Sequence, residues 1–280
     1  MNKEAPVLFD ESVRLEADLE YLGSDRAEKL DVYLPPESFE GPRPAVLLIH
    51  GGGWRMLDKG MAREKNIGYT LASHGYAVFS INYLLNEETC DPTTGEIVDE
   101  KVAWPQNLYD CKTALRWIRL NASRFNVDTA RIATMGGSAG GHLSMMVGCT
   151  ADSESLNQGG LYLEQSNEVK CVINLYGLHE IRDPWTKAFA GSTPEETAAN
   201  VQAASPVSYL DSFPPILILH GSADETVSVE YSRDLAAKLE ERDLPYWYFE
   251  IGGAGHSFHL QPEQMDLRPL VLQFLRENLD

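Results

Sequence analysis

The sequence predicts an α/β fold, with a mostly parallel central sheet flanked by helices and an antiparallel hairpin at the N-terminus. Short, continuous runs of apolar and β-branched residues indicate strands that are buried on both faces. Longer stretches with the apolar period of a helix lie between these runs, and this alternation is typical of a parallel sheet covered on both sides. Near the N-terminus apolar and polar residues alternate one by one, as in a half-exposed hairpin.

The elements follow from these patterns in chain order. The hairpin is predicted at 13–22 and 29–34. Buried strands are predicted at residues 45–50, 76–81, 169–175 and 215–219, and helices at 62–73, 105–125, 229–242 and 265–278. Helix 105–125 has the clearest apolar stripe, and Pro105 suits its first turn.

Two stretches interrupt the alternation and are expected to lie over the carboxyl edge of the sheet, where α/β proteins build their sites. Residues 86–104 are acidic and rich in turn formers. Residues 178–213 are predicted to form a small cap insertion within a single domain that spans 1–280. The hydrophobic runs continue without a Ser/Gly/Pro-rich linker, which favours one domain over two.

Composition excludes several kinds of partner. The chain carries 23 Lys and Arg against 42 Asp and Glu, a formal net charge of −19. Such a surface repels phosphate backbones and anionic membranes, so neither nucleic acid nor a membrane is an expected partner. The sequence does not predict an oligomeric state.

The cysteines and the N-terminus bear on metals and on the compartment. Four cysteines, Cys90, Cys111, Cys149 and Cys171, are scattered without the spacing of a zinc or redox motif, so we expect buried free thiols, although one disulfide stays open. The first residues contain no apolar segment of signal-peptide length, and no run is long enough for a membrane helix. The compartment therefore stays open, either cytoplasmic or reached by secretion with the signal peptide removed.

Residues 131–142 read as a strand, a sharp turn and a helix, with Gly136-x-Ser138-x-Gly140 at the turn. This is the nucleophile-elbow pattern, in which small neighbours let strand and helix approach closely and the serine takes a strained conformation. A glycine-rich turn with no catalytic role could contain the same five residues. The prediction therefore depends mainly on the strand before the motif and the helix after it.

A second motif, His50-Gly51-Gly52-Gly53-Trp54, directly follows a buried strand. Three consecutive glycines cost roughly 1 kcal/mol each relative to alanine, which suggests a need for exposed backbone N–H groups. We predict an oxyanion hole from the N–H groups of Gly52, Gly53 and Ala139. A phosphate cradle is disfavoured because neither GxGxxG nor GxxxxGK[ST] is present.

A serine nucleophile requires an imidazole base and a carboxylate that orients it. Asp224 follows the strand at 215–219, and His256 lies in the glycine-rich loop after the next strand. Ser138, Asp224 and His256 are therefore the predicted catalytic residues. His259 is the nearest rival base, whereas Asp211 precedes its strand and would lie at the wrong edge of the sheet.

Together these motifs resemble the HGGGW-type bacterial carboxylesterases of the α/β-hydrolase superfamily, close to the feruloyl and acetylxylan esterase-like group. The resemblance runs from about Lys29 to the C-terminus and includes Asp31-Val32-Tyr33-Leu34-Pro35, Ser205-Pro206 and His220-Gly221-x-x-Asp224. It implies an α/β-hydrolase fold, the same triad and oxyanion hole, and no cofactor or metal. The residue before the serine is Gly137 rather than the Asp usual in hormone-sensitive-lipase-like relatives, which favours the feruloyl/acetylxylan-like group.

The predicted function is hydrolysis of short-acyl carboxylic esters of small molecules or carbohydrates, including acetylated or feruloylated sugars. Trp54, Trp104 and Trp185 are predicted to line a short substrate cleft by stacking, with core packing as the alternative for at least one of them. Arylformamidase or another amide hydrolase is the enzymatic alternative. A binding protein built on an inactive hydrolase fold is the non-enzymatic one.

Overall fold

The core of the molecule is an eight-stranded sheet. The computed structural model describes residues 10–90, 93–94 and 97–280. The described residues form ten strands, of which β5 and β6 make a separate pair and the other eight make the large sheet. The strands are β1 (Arg14–Leu19), β2 (Leu30–Leu34), β3 (Arg43–Ile49), β4 (Ala77–Ile81), β5 (Glu87–Cys90), β6 (Ile97–Lys101), β7 (Val127–Gly137), β8 (Cys171–Leu175), β9 (Ile216–Gly221) and β10 (Tyr246–Ile251).

The order of the large sheet is β1-β2-β4-β3-β7-β8-β9-β10. β1 pairs with β2 and β2 with β4 in the antiparallel sense, and every later pair in this order is parallel. The predicted α/β-hydrolase architecture is confirmed, including the antiparallel N-terminal hairpin and the mostly parallel sheet.

Helices cover both faces of the sheet. They are α1 (Ala62–Ala72), α2 (Gln106–Leu120), α3 (Ala122–Phe125), α4 (Ala139–Cys149), α5 (Pro194–Ala203), α6 (Glu230–Glu240) and α7 (Arg268–Leu279). One core contains Leu47 with residues of α2, α4 and α6, and the other contains Val46 and Leu48 with residues of α1 and α7. Successive strand side chains point to opposite faces, so a continuous apolar run serves both cores at once.

Two predicted segments differ from the structure. The helix expected at 105–125 is two helices, because α2 ends at Leu120 and Asn121 lies between it and α3. Residues 86–104 contain β5 and β6, a separate antiparallel pair of strands. The turn formers expected in this stretch lie partly outside the described residues, since only Thr93 and Thr94 are described between the two strands.

The segment predicted as a cap, 178–213, contains two 3-10 helices, Trp185–Phe189 and Pro206–Ser212, with α5 between them. Thr193 caps α5 by accepting a hydrogen bond from the N–H of Glu196, with Pro194 in its first turn. Across the described part of the chain, no helix has the length and apolar character needed to span a bilayer.

Candidate active site

Ser138 lies at the turn between β7 and α4, with φ 57° and ψ −123°. A non-glycine residue rarely adopts a positive φ, and the cost must be offset by surrounding structure. The Ser138 N–H donates to the carbonyl of Leu175 in the neighbouring strand (2.9 Å), and its carbonyl accepts from the N–H of His142 (2.9 Å). These bonds hold the serine in the strained conformation at the carboxyl edge of the sheet.

The glycines of the elbow are required by close backbone approach. A Cβ at Gly140 would lie 2.0 Å from the carbonyl oxygen of Ile49, and one at Gly136 would lie 2.4 Å from Gly140. Backbone atoms cannot move aside as the end of a side chain can, so only glycine fits at both positions. The sequence motif is therefore explained by packing of α4 against β3.

The structure brings the three predicted catalytic side chains together. His256 Nε2 lies 3.0 Å from Ser138 Oγ, and His256 Nδ1 lies 2.7 Å from Asp224 Oδ2. With the carboxylate accepting from Nδ1–H, Nε2 is free to accept the serine proton. His259, the rival base, instead accepts a hydrogen bond from the N–H of Gln261 through Nδ1 (3.0 Å).

The Asp224 carboxylate is fully buried and has four hydrogen-bonding neighbours. Its Oδ1 accepts from the N–H groups of Thr226 (2.9 Å) and Val227 (2.8 Å), and its Oδ2 lies 3.2 Å from Nε2 of His220. Burial opposes ionisation, but the hydrogen bonds from His220, His256 and the Val227 N–H outweigh it and hold the pKa of Asp224 well below its usual value. The group that orients His256 therefore stays charged.

The glycine loop lies beside the serine, as the sequence predicts for an oxyanion hole. Gly52 and Gly53 have φ values of 104° and 60°, and a Cβ at Gly51 would lie 3.4 Å from Ser138 Cβ. Among the described residues, the structure records no protein acceptor for the N–H groups of Gly52, Gly53 and Ala139. Ala139 is the first residue of α4, so its N–H has no partner within the helix.

Trp54 is a core residue, which corrects the prediction that it lines the substrate cleft. Its side chain is completely buried, and its ring lies 5.1 Å from His142 and 4.9 Å from Phe189. Its Nε1–H donates to His142 Nδ1 (3.2 Å), which places the His142 proton on Nε2, 2.6 Å from the Ala204 carbonyl. This hydrogen-bond chain links the glycine loop, α4 and the segment 178–213.

The other two predicted substrate-binding tryptophans differ in exposure. Trp104 is nearly buried and packs its ring 5.6 Å from Phe189, whereas Trp185 is partly exposed, 6.3 Å from Trp54. A role for Trp104 and Trp185 in substrate binding stays a prediction.

Asn86 connects three segments near the site, and no sequence pattern predicted this role. The Asn86 N–H donates to the Trp54 carbonyl (2.8 Å), and its side chain accepts from the Ala103 N–H (2.7 Å) and donates to the Ala188 carbonyl (3.1 Å). One buried amide thus joins the glycine loop, the base of the β5–β6 pair and the segment 178–213. Its neighbours are distant in sequence, so no local pattern could have identified it.

Three other histidines are buried and form structural contacts. His50 stacks on Tyr83 at 4.4 Å and lies 2.7 Å from the Gly51 carbonyl through Nδ1, so it braces its loop. His220 also braces its loop, with Nδ1 2.6 Å from Ser232 Oγ. His179 is buried in the segment 178–213, 2.9 Å from Asp234.

The cysteines and possible metal ligands are separate from this site. Cys111, Cys149 and Cys171 are buried free thiols, whereas the side chain of Cys90 lies outside the described residues. His179, Glu180 and Asp234 place ligand atoms within 4.8 Å of one another. Arg182 already pairs with both of these carboxylates, so a cation there would compete with the guanidinium group.

Two further residues contact the site and were also missed by sequence reasoning. Tyr176 follows β8 directly, and its ring lies 4.8 Å from that of His256. Arg63 of α1 donates to the Tyr176 hydroxyl (2.8 Å). A tyrosine at a strand end beside Gly177 was the only available signal, and it does not distinguish packing from function.

Curated esterases are similar to this chain over most of its length. Among curated proteins, the chain is 29% identical over 255 residues to esterase LipC of Mycobacterium tuberculosis, covering 85% of this chain and 59% of LipC. It is 28% identical over 261 residues to esterase LipQ of the same organism, covering 87% of this chain and 57% of LipQ. The chain thus spans less than two thirds of the length of these relatives.

Solved structures share the fold over nearly the whole chain. A truncated carbohydrate esterase from gut microbiota superposes with a TM-score of 0.79 at 24% identity, covering 96% of this chain and 98% of that one. A thermophilic esterase from the planctomycete Thermogutta terrifontis, solved with butyrate bound, gives a TM-score of 0.73 at 23% identity, covering 95% and 94%. The model of the BD-FAE family matches residues 30–239. The resemblance drawn from the motifs is thereby confirmed, and the chain belongs to the BD-FAE family of α/β-hydrolase esterases.

Proposed function

We propose that this chain is a serine carboxylic-ester hydrolase in which Ser138 is the nucleophile, His256 the general base and Asp224 the residue that orients it. The observation that carries the proposal is the continuous hydrogen-bond chain from Ser138 Oγ through His256 to a buried, charged Asp224. A serine hydroxyl is a weak nucleophile unless a neutral imidazole takes its proton, and this chain supplies that imidazole in the required tautomer.

The reaction follows from these positions. Ser138 Oγ attacks the ester carbonyl carbon while His256 Nε2 accepts its proton, giving a tetrahedral oxyanion. The oxyanion collapses, the alcohol leaves with the proton from His256, and an acyl-enzyme ester remains on Ser138. A water molecule, deprotonated by His256, then attacks the acyl carbon, and collapse returns the carboxylic acid and free Ser138.

The N–H groups of Gly52, Gly53 and Ala139 are the proposed oxyanion donors. They lie at a glycine loop and a helix N-terminus beside the serine, and both features favour negative charge. Removing one such donor in other enzymes lowers kcat about 100- to 1000-fold. Because these donors are backbone groups, their removal requires a change of backbone, not of side chain.

The proposed substrates are short-acyl esters of small molecules or carbohydrates. The segment 178–213 lies near the site, and after Pro194 the only apolar residues of its helix α5 are three alanines and Val201, too little apolar surface to cover a long acyl chain. Trp185 and Trp104 are the proposed contacts for a flat or sugar-like alcohol. The capture of butyrate by the Thermogutta esterase makes butyrate esters the natural first substrates.

The proposal is tested with Ser138→Ala and His256→Ala, which should each lower kcat for p-nitrophenyl butyrate by roughly a million-fold, since the triad acts as a unit. His259→Ala and Ser155→Ala are matched controls and should keep near-normal rates. A fluorophosphonate probe should label the native protein and both controls but not Ser138→Ala. Retention of more than a few per cent of activity by purified Ser138→Ala would refute the assignment. N-formylkynurenine, acetylated xylan and methyl ferulate in the same assay would distinguish formamide from ester preference.

A further inference from the structure

A largely buried arginine and a buried tyrosine lie next to the catalytic residues. Arg63 Nη1 donates to the Tyr176 hydroxyl oxygen (2.8 Å), and the Tyr176 hydroxyl donates to the carbonyl of Phe258 (2.7 Å). Tyr176 is completely buried and the Arg63 side chain is 12% exposed. Phe258 lies two residues after His256, so the chain of hydrogen bonds ends in the loop that carries the base.

The same two side chains fill the space next to the nucleophile. A Cβ on Gly137 would lie 2.6 Å from Arg63 Nη1 and 2.8 Å from the Tyr176 hydroxyl oxygen. A Cβ on Gly51 would lie 3.3 Å from Arg63 Nη2. One guanidinium group therefore fills the space beside the backbone on both sides of the reacting centre, at the elbow and at the glycine loop. This contact explains why glycine precedes the serine in this sequence.

Tyr176 is itself held rigidly. Its N–H donates to the Leu219 carbonyl (2.8 Å), and its φ of 44° is unusual for a residue with a side chain. Its ring meets the His256 ring edge-on at 4.8 Å and 62°. The imidazole thus has Asp224 on one side and a fixed aromatic surface against it.

The charge of Arg63 is balanced locally. Arg63 Nε donates to Glu64 Oε1 (2.8 Å), and both side chains are almost inaccessible to solvent. Burial raises the pKa of Tyr176 although Arg63 lowers it, so the hydroxyl stays protonated and keeps its role as a donor. A buried network with all partners satisfied is rigid, whereas a partly satisfied one is costly.

We propose that Arg63 and Tyr176 are positioning residues, a brace that holds the His256 loop against the nucleophile elbow and keeps the imidazole at bonding distance from Ser138. The brace acts through the backbone of Gly137, Gly51 and Phe258 and does not contact substrate. The inference rests on the proposed triad, because it assigns a purpose to contacts with that triad.

The decisive variant is Tyr176→Phe, which removes the hydroxyl and keeps the ring. Tyr21→Phe is the matched control, because Tyr21 is also completely buried and donates to a backbone carbonyl, that of Asn82, in the N-terminal region. Both variants should lower the thermal midpoint, Tyr176→Phe by more because its hydroxyl also accepts from Arg63. Only Tyr176→Phe should lower kcat for p-nitrophenyl butyrate, by about ten- to a hundred-fold with KM nearly unchanged, since small displacements of a catalytic group cost about this much. Equal kcat values for the two variants would overturn the proposal.

A double-mutant cycle tests whether the brace acts as one unit. Gly137→Ala places a methyl group against the Arg63 and Tyr176 ends, so it should also lower kcat with little change in KM. In the double variant Gly137→Ala with Tyr176→Phe, the two losses should not multiply, because both disturb the same contact. Fully multiplicative losses would contradict a shared brace.

Ser138→Ala, run in parallel, separates the two proposals. Loss of activity in Ser138→Ala together with a normal kcat in Tyr176→Phe would leave the triad intact and refute the brace alone. Activity that survives in Ser138→Ala would refute both.

Discussion

At the scale of single residues, the site depends on close packing around its glycines as well as on its reactive side chains. Gly136, Gly137 and Gly140 each face atoms that occupy the position of a Cβ. At Gly137 those atoms are the ends of two side chains, whereas at Gly136 and Gly140 they are backbone. The distinction decides which substitutions the fold can absorb by small movements.

Gly140→Ala should destabilise the protein strongly. The new methyl carbon would lie 2.0 Å from the Ile49 carbonyl oxygen and 2.5 Å from that of His50, both in the backbone. Overpacking of this kind costs about 1 to 3 kcal/mol and more where nothing can yield. Urea unfolding should show a lower midpoint at unchanged slope. Gly252→Ala is the control, because nothing lies within 4 Å of its Cβ position and its midpoint should stay the same. Equal midpoints for the two variants would contradict the packing argument.

At the scale of elements, apolar patterns predicted the strands of the sheet but not the structure of the segments that connect them. The runs at 45–50 and 215–219 match β3 and β9 within one or two residues, because strands buried on both faces have no polar position. The break at Asn121 and the β5–β6 pair were missed, since α3 continues the apolar stripe of α2 and the paired strands are polar.

The catalytic residues were predictable for a related reason. Ser138, Asp224 and His256 each follow a strand of the parallel part of the sheet, and parallel strands bring their carboxyl ends to one edge. The brace and the burial of Trp54 were not predictable, because Arg63, Tyr176 and His142 reach them from elements distant in sequence. A tryptophan after a glycine loop looks the same in the sequence whether it faces substrate or the core.

The segment 178–213 leads to a prediction about chain length. α5 has Glu195 and Glu196 in its first turn, and its apolar residues after Pro194 are three alanines and Val201, so it lacks the wide apolar face of an interfacial lid. We expect kcat/KM for p-nitrophenyl esters to decline beyond about butyrate, with no jump in rate when the substrate exceeds its solubility. In a true long-chain site each added methylene would contribute up to about 0.8 kcal/mol. Assays from acetate to laurate below the solubility limit test this, and a maximum at laurate would rule it out.

At the scale of the whole molecule, the fold buries three histidines, His50, His142 and His179, in surroundings that favour their neutral form. Burial lowers the pKa of His50 and His142 to about 4, and burial also lowers that of His179 to about 4 against the opposing charge of Asp234. Each of the three has a hydrogen-bonding partner within 2.9 Å. In the unfolded chain these histidines titrate near 6.5.

Stability should therefore fall as the pH drops from about 6.5 to about 4. In this window the unfolded state binds protons that the folded state does not, so the free energy of unfolding decreases, and below the folded pKa the loss stops growing. A shift of this size is worth about 2 to 3 kcal/mol per histidine at pH 4.5. Urea midpoints at pH 8 and pH 4.5 measure the loss. His142→Gln is the matched variant, because its amide oxygen can accept from Trp54 and its amide nitrogen can donate to Ala204 without titrating. The free energy of unfolding of this variant should fall less between the two pH values than that of the native protein, by the contribution of one histidine. The carboxylates titrate in both proteins, so their effect cancels in this comparison. An identical loss in both proteins would show that His142 is not held neutral by the fold.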